Sequence, residues 1–169
     1  MSADRTCSAF ALLACLMGTA AVAQVLPAPV KDQAPLLRSA DPKLAANKRL
    51  VFDMMRTVLN AGRAGEAHRF VTPEYIQHNP NVVSGRQGLV DYIRRTRPER
   101  PVPEQISFPV IAIIAEGDRV TVATVDYENE TTHFDLFRVE NGLIAEHWDN
   151  VSRGRAAATK DPNVSNKPK

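Results

Sequence analysis

From residue 41 onward the apolar positions follow two successive patterns, a helical period and then strand-like runs. Asp41-Pro42 is a helix start, with Asp as N-cap and Pro at the first helical position. Leu44, Val51, Met55, Val58 and Leu59 recur at helical spacing and predict an amphipathic helix over Leu44 to Asn60. Gly62 and Gly65 end it. Glu66 to Val71 reads as a short second helix and Thr72 to Pro80 as a turn-rich connection. Ser84 caps a third helix, with Leu89, Val90 and Ile93 facing inward, that ends near Pro98. Ile106 to Ala115 is then strongly apolar, and Val120 to Tyr127 is rich in β-branched residues. Turns at Glu116-Gly117-Asp118-Arg119 and Glu128-Asn129-Glu130 separate these strands from a last hairpin, Thr132 to Asp149. Helices followed by an antiparallel meander predict an α+β domain, with the helices on one face of a curved sheet. Such a wrap leaves a cavity between the two layers, the default place for a ligand.

The last hairpin carries the chemistry. Asn141-Gly142 between apolar-rich runs is a strong turn signal, because both residues tolerate positive φ. A three-residue Glu140-Asn141-Gly142 loop pairs Val139 with Leu143, Asp135 with His147, and His133 with Asp149. The four ionisable groups then share one sheet face, and Phe134, Leu136, Ile144 and Trp148 share the other. A two-residue loop slips the register by one, pairs Asp135 with Trp148 and splits the cluster. The three-residue loop is the favoured reading.

The ends read differently. Arg5, the apolar run Ala9 to Val22 and the small-x-small site Ala21-Val22-Ala23 make residues 1–23 a secretory signal peptide, too short for a retained membrane span. A rival cleavage site before Cys15 places a short apolar run ahead of it. Residues 24–40 hold Pro27, Pro29 and Pro35 without an apolar period and read as an extended linker. Residues 154–169 read as a disordered tail, which leaves residues 41–153 as the fold. The two Cys, Cys7 and Cys15, both fall in the signal segment, so the mature chain has no thiol nucleophile and no Cys metal ligand. A periplasmic or secreted location follows. A net charge of +2 argues for no particular charged partner. Arg86, Arg94, Arg95, Arg97 and Arg100 crowd one helix and read as a solvated face rather than a nucleic-acid surface.

Tyr75-Ile76-Gln77-His78-Asn79-Pro80, then Gly85, Asp135 to Gly142 and Glu146-His147-Trp148-Asp149, resemble the SnoaL-like polyketide cyclase group of the nuclear transport factor 2-like superfamily. The resemblance covers about Leu44 to Ser152. It implies a cone-shaped α+β barrel (cystatin/NTF2-like), a curved antiparallel sheet wrapped around N-terminal helices, often a homodimer, with a pocket between sheet and helices. The cyclases of this group perform an aldol condensation without metal or cofactor, with an aspartate on the last strand as acid/base. The matching residue is Asp149. A histidine of those cyclases falls at Asp135, with His133 two residues earlier, which is a departure from the pattern.

Asp149, His78 and His133 are accordingly the candidate catalytic residues, and Tyr75, Asp135, His147 and Trp148 the candidate substrate contacts. A base that deprotonates carbon beside a carbonyl needs a carboxylate in a dry pocket. His78, in its loop, is expected to reach the pocket from the helix side. Neither His-x-x-His nor His-Glu-x-x-His spacing occurs, so no metal is expected. The functional expectation is an exported, cofactor-free lyase, isomerase or cyclase acting on a small hydrophobic carbonyl compound. A non-catalytic binding protein for an apolar molecule and a dimeric interaction module are the alternatives.

Overall fold

The structure is a computed structural model that describes residues 25–151. The signal peptide and the C-terminal tail expected above lie outside the described residues.

Helix α1 spans Pro42–Met54 and starts as its sequence dictates. The Asp41 carboxylate accepts from the backbone N–H groups of Lys43 and Leu44, two donors the first turn leaves without helical partners. The helix runs on through a π-helical turn, Met55–Asn60, and stops where Gly62 takes φ +65°. A Cβ at Gly62 would lie 2.6 Å from the Pro98 carbonyl oxygen, so glycine is required twice over. A 3₁₀ segment, Ala64–Arg69, stands where a short second helix was expected. Helix α2, Arg86–Thr96, buries Leu89, Val90 and Ile93.

The connection expected between those helices is instead a strand. β1 spans Val71–Gln77 and pairs in parallel with β5, with Gln77 opposite His147. Pro73 suits it because β1 is an edge, where a missing N–H costs no ladder bond. Ser84 does not cap α2. Its hydroxyl accepts from the Gln77 N–H and ties the following loop to the end of β1.

The remaining strands are β2 (Val110–Glu116), β3 (Arg119–Asp126), β4 (Thr131–Glu140) and β5 (Leu143–Asp149). They form an antiparallel meander in a five-stranded sheet of order β1-β5-β4-β3-β2. The architecture is mixed α+β, with a curved sheet that stays open between its edges β1 and β2. Helix α1 packs on β2 and β3, and α2 on β1. Val51, Met55, Val58 and Ile93 from the helices meet Val120, Val122, Phe137 and Ile144 from the sheet in the core.

The N-terminal segment, read above as an extended linker, holds a 3₁₀ turn at Ala34–Leu37 and is packed onto the fold. The Val30 N–H donates to the Val110 carbonyl at 2.7 Å. Buried Gln33 clamps Ile106, its Nε2 donating to the Ile106 carbonyl and its Oε1 accepting from the Ile106 N–H. Leu37 completes the attachment by entering the core.

The β4–β5 hairpin corrects the expected register in two steps. Glu140 pairs with Leu143, so the turn is the two-residue Asn141-Gly142, both residues at positive φ (51° and 77°). A bulge follows, because Val139 pairs with Ile144 but Arg138 pairs with Glu146, and Ala145 is the extra residue. The two-residue turn moves the register by one and the bulge moves it by one more. Asp135 therefore pairs with Asp149, and Phe137 with His147. Parity beyond the bulge equals that of a three-residue loop, while Ile144, before it, turns into the core instead of joining Trp148.

Candidate functional site

A cavity of about 90 Å³ lies between the inner face of the sheet and the helices. One part of its wall is apolar, with Met54, Met55, Leu59, Leu89 and Phe108. The other is polar. His133 and Asp135 come from β4, His147 and Asp149 from β5, and Tyr75, Gln77 and Asn79 from β1 and its continuation. Period two along an extended chain explains the last three, which alternate at i, i+2 and i+4.

All of these except His133 form one hydrogen-bonded chain. The Asn79 N–H donates to Gln77 Oε1 at 3.0 Å. His147 Nδ1 lies 2.8 Å from the same oxygen, and His147 Nε2 lies 3.0 Å from Asp135 Oδ1. Gln77 Nε2 donates to the Tyr75 hydroxyl at 3.1 Å. Asp149 accepts from Asn79 Nδ2 at 2.6 Å and, through its other oxygen, from the Val151 N–H at 3.0 Å. His147 is buried, and its ring rests on Phe137 with centroids 4.7 Å apart. Burial, reinforced by the negative charges of Asp135 and Asp149, pushes the Tyr75 phenol well above its ordinary range. Tyr75 thus keeps its proton at neutral pH and is a hydrogen-bond donor.

His133 sits at another part of the wall, 3.8 Å from Asp126 and within 3.4 Å of the Thr131 hydroxyl. Burial opposes ionisation of Asp126. The hydrogen bonds from Asn129 and Glu128, with the nearby His133, outweigh it and hold the carboxyl below its usual range. Asp126 also closes the β3–β4 turn by accepting from the Glu128 and Asn129 N–H groups.

His78 and Trp148 are placed differently from the sequence expectation. Both lie on the outer face of the sheet. Their rings stack at 4.8 Å with an interplanar angle of 4°, and the Arg119 guanidinium sits 5.7 Å from the Trp148 ring centre. His78 Nε2 contacts Glu146 at 2.8 Å, and Arg138 holds the other Glu146 oxygen at 2.7 Å. Those two hydrogen bonds, His78 first, keep the Glu146 carboxyl below its usual range. The physical reason is again alternation. Once Thr72–Gln77 is a strand, its inward residues are Tyr75, Gln77 and Asn79, and His78 must point away. Trp148, between inward His147 and Asp149, points away too, and is half-buried rather than core-packed.

Sequence reasoning gave no role to Gln77, Asn79 or Asp126. The signal for the first two was present in the spacing Tyr75-x-Gln77-x-Asn79. No local signal marked Asp126. Asp135, His147 and Asp149 bring ligand-type atoms within 4.8 Å of one another, the donor chemistry of a divalent-cation site. Of their oxygens, Asp135 Oδ1 meets His147, and the two of Asp149 meet Asn79 and the Val151 N–H.

Residues 51–147 match the SnoaL-like domain family. No curated protein matches the chain significantly. Among solved structures, TsrD of Streptomyces laurentii is 23% identical, with a TM-score of 0.46 over 66% of this chain and 90% of that one. An NTF2-like protein of unknown function from Mesorhizobium loti is 18% identical, with a TM-score of 0.49 over 68% and 97%. An LEH-like epoxide hydrolase of M. tuberculosis is 16% identical, with a TM-score of 0.47 over 64% and 80%. With more than half of its 169 residues matched, this chain belongs to the SnoaL-like domain family.

Proposed function

We propose that the chain is a cofactor-free acid/base enzyme of the lyase, isomerase or cyclase type, acting on a small hydrophobic carbonyl compound. The observation that carries this reading is the pairing, in one wall of a largely apolar cavity, of a fixed carboxylate, Asp149, with a proton-sharing pair, Asp135–His147. Asp149 is held by Asn79 and by the Val151 N–H, so a lone pair is presented in a constant direction. It takes a proton from the carbon beside the carbonyl. The electron pair of that C–H bond becomes a new carbon–carbon double bond, and the π pair of the carbonyl moves onto its oxygen. Tyr75 donates a hydrogen bond to the developing enolate, and the Asp135–His147 pair returns a proton to the oxygen. This role for Tyr75 and His147 replaces the one expected of His78.

Deuterium uptake tests the reading. A panel of small apolar ketones and aldehydes is incubated with the protein in heavy water, and exchange at the α-carbon is read by mass spectrometry. Wild-type protein should accelerate exchange for at least one compound, and Asp149→Asn should lower that rate by about 10²–10⁴, the range for a lost general base. Undiminished exchange in Asp149→Asn would remove Asp149 as the base. Ligand binding without exchange anywhere in the panel would favour a non-catalytic binding protein.

We also propose export to a periplasmic or extracellular space with cleavage before Gln24, tested by N-terminal sequencing of the exported chain. A homodimer through the outer sheet face is proposed on the exposure of Ile76, Ile114 and Phe134 there. Sedimentation equilibrium of the wild type against Phe134→Lys tests it.

A further inference from the structure

The orientation of one side-chain amide decides where the protons of this site lie. A backbone N–H can only donate, so the Gln77 atom that faces the Asn79 N–H must be the oxygen. The Tyr75 contact agrees, since it leaves Nε2 to donate to the hydroxyl. The same oxygen faces His147 Nδ1 at 2.8 Å. Two acceptor lone pairs cannot bond to each other, so Nδ1 must carry a hydrogen. The opposite nitrogen, Nε2, faces the Asp135 carboxylate at 3.0 Å. That contact also requires a hydrogen, carried by Nε2 or by Asp135. The exchangeable proton of the histidine is therefore confined to the Nε2–Asp135 edge.

We propose that Gln77 is the positioning residue of the site: it fixes a permanent Nδ1–H on His147, so that every proton the histidine gives or takes passes through Nε2 beside Asp135. The inference deepens the acid/base reading above, and rests on it only for the use made of that proton. Without Gln77 the physical preference reverses. A neutral imidazole beside a carboxylate keeps its hydrogen on the nitrogen facing that carboxylate, because the alternative sets a lone pair against a negative charge. Gln77 opposes this by offering Nδ1 an acceptor that Asn79 holds in place. The charged and titratable groups around the ring are Asp135 from β4, Tyr75 through Gln77 on β1, and Asp149 from the ring's own strand. Phe137, beneath the ring, adds packing and no proton-bonding group. Such an arrangement keeps a transferable proton on the side of the ring next to Asp135, in the same cavity wall as Asp149.

Nitrogen-15 correlation spectra of the His147 ring test this in the full chain, followed from about pH 5 to about pH 9, the range over which histidines change charge. In the wild type, Nδ1 should keep the chemical shift of a protonated nitrogen throughout, and any change with pH should appear at Nε2. In Gln77→Leu the neutral ring should carry its hydrogen on Nε2 instead, so Nδ1 becomes the nitrogen that responds. Gln77→Glu retains an acceptor oxygen and should restore the wild-type assignment, an outcome a merely structural role for Gln77 does not foresee. A wild-type ring with a bare Nδ1 would overturn the proposal, and so would a folded Gln77→Leu with unchanged ring shifts. If Gln77→Leu does not fold, the wild-type and Gln77→Glu spectra still decide it. Asp149→Asn is expected to leave the His147 assignment unchanged, so loss of the acid/base reading and loss of this one are separate results.

Discussion

Gly88 lies in the first turn of α2, where an exposed-helix rule says that Gly→Ala should stabilise by about 1 kcal/mol. The structure reverses the sign. A Cβ at residue 88 would lie 2.1 Å from the Val83 carbonyl oxygen and 2.8 Å from its carbon, both backbone atoms that no rotamer change can move. Ordinary contact begins at 3.4 Å, so loop or helix must yield by 1.3 Å (3.4 less 2.1). Overpacking of this kind costs about 1–3 kcal/mol. The loop that must move runs between Asn79, which holds Asp149, and Ser84, which holds the end of β1. Weakening the charged Asn79–Asp149 bond adds part of the roughly 1.5–3 kcal/mol such bonds contribute. Set against the helix gain, Gly88→Ala should destabilise by about 1–3 kcal/mol. With a urea dependence of about 1–3 kcal/mol per molar, the unfolding midpoint should fall by on the order of 1 M. Urea titrations of both proteins at one pH measure it. A midpoint that rises, as the helix rule alone predicts, would show that the close approach of α2 to the loop does not hold the site together.

Trp148→Ala should cost only about 1–2 kcal/mol in urea unfolding, since a half-buried ring loses its His78 stack and its Arg119 contact but opens no core cavity; a loss above about 3 kcal/mol would place the ring in the core after all. Phe137→Ala, at a fully buried position beneath His147, should cost about 3–5 kcal/mol in the same assay. Glu146 has a depressed carboxyl pKa in the folded state, so its contribution is present above the unfolded value and lost as pH falls through the folded one. The stability advantage of wild type over Glu146→Gln should therefore be full near neutral pH and begin to fall only once the pH drops below the ordinary glutamate value of about 4.3, when urea midpoints are compared across pH; a constant difference would refute the link. Asp149→Asn should abolish most α-carbon exchange and lower the unfolding free energy in urea by about 1–3 kcal/mol, since its NH2 must face one of the two donors that the carboxylate accepts from, Asn79 Nδ2 or the Val151 N–H.

Much of the fold was legible because local chemistry and global packing agree. Asp41-Pro42 starts α1, Leu89, Val90 and Ile93 mark the inner face of α2, and Asn141-Gly142 turns the last hairpin, each through an interaction made within a few residues. β1 was missed for the opposite reason. Its Pro73 and its polar residues deny it the look of a strand, and only its partner β5, some 70 positions later, supplies the ladder that makes it one. The error carried straight to the site, because reading Thr72–Pro80 as a loop sends His78 toward the cavity, whereas strand alternation sends Gln77 and Asn79 there instead.

The grouping of Asp135, His147 and Asp149 was foreseen through a register that does not exist. The turn has two residues, and by itself it would set His147 and Asp149 on the face opposite Asp135. The bulge at Ala145 reverses that outcome for every residue beyond it. It also lets Ile144 enter the core before the reversal and Glu146 face outward after it, so apolar packing near the turn and the polar wall near the strand end are both satisfied. A regular strand cannot do this, since with strict period two the face that holds Ile144 would also hold Glu146 and Trp148. Nothing at Ala145 announces a bulge, because its cause is not local. Beyond the bulge every polar side chain has a partner: His147 meets Asp135 and Gln77, Asp149 meets Asn79, and Glu146 meets Arg138 and His78. The site therefore follows from partners that β1 and β4 supply across the whole sheet, which residue-by-residue propensity does not show.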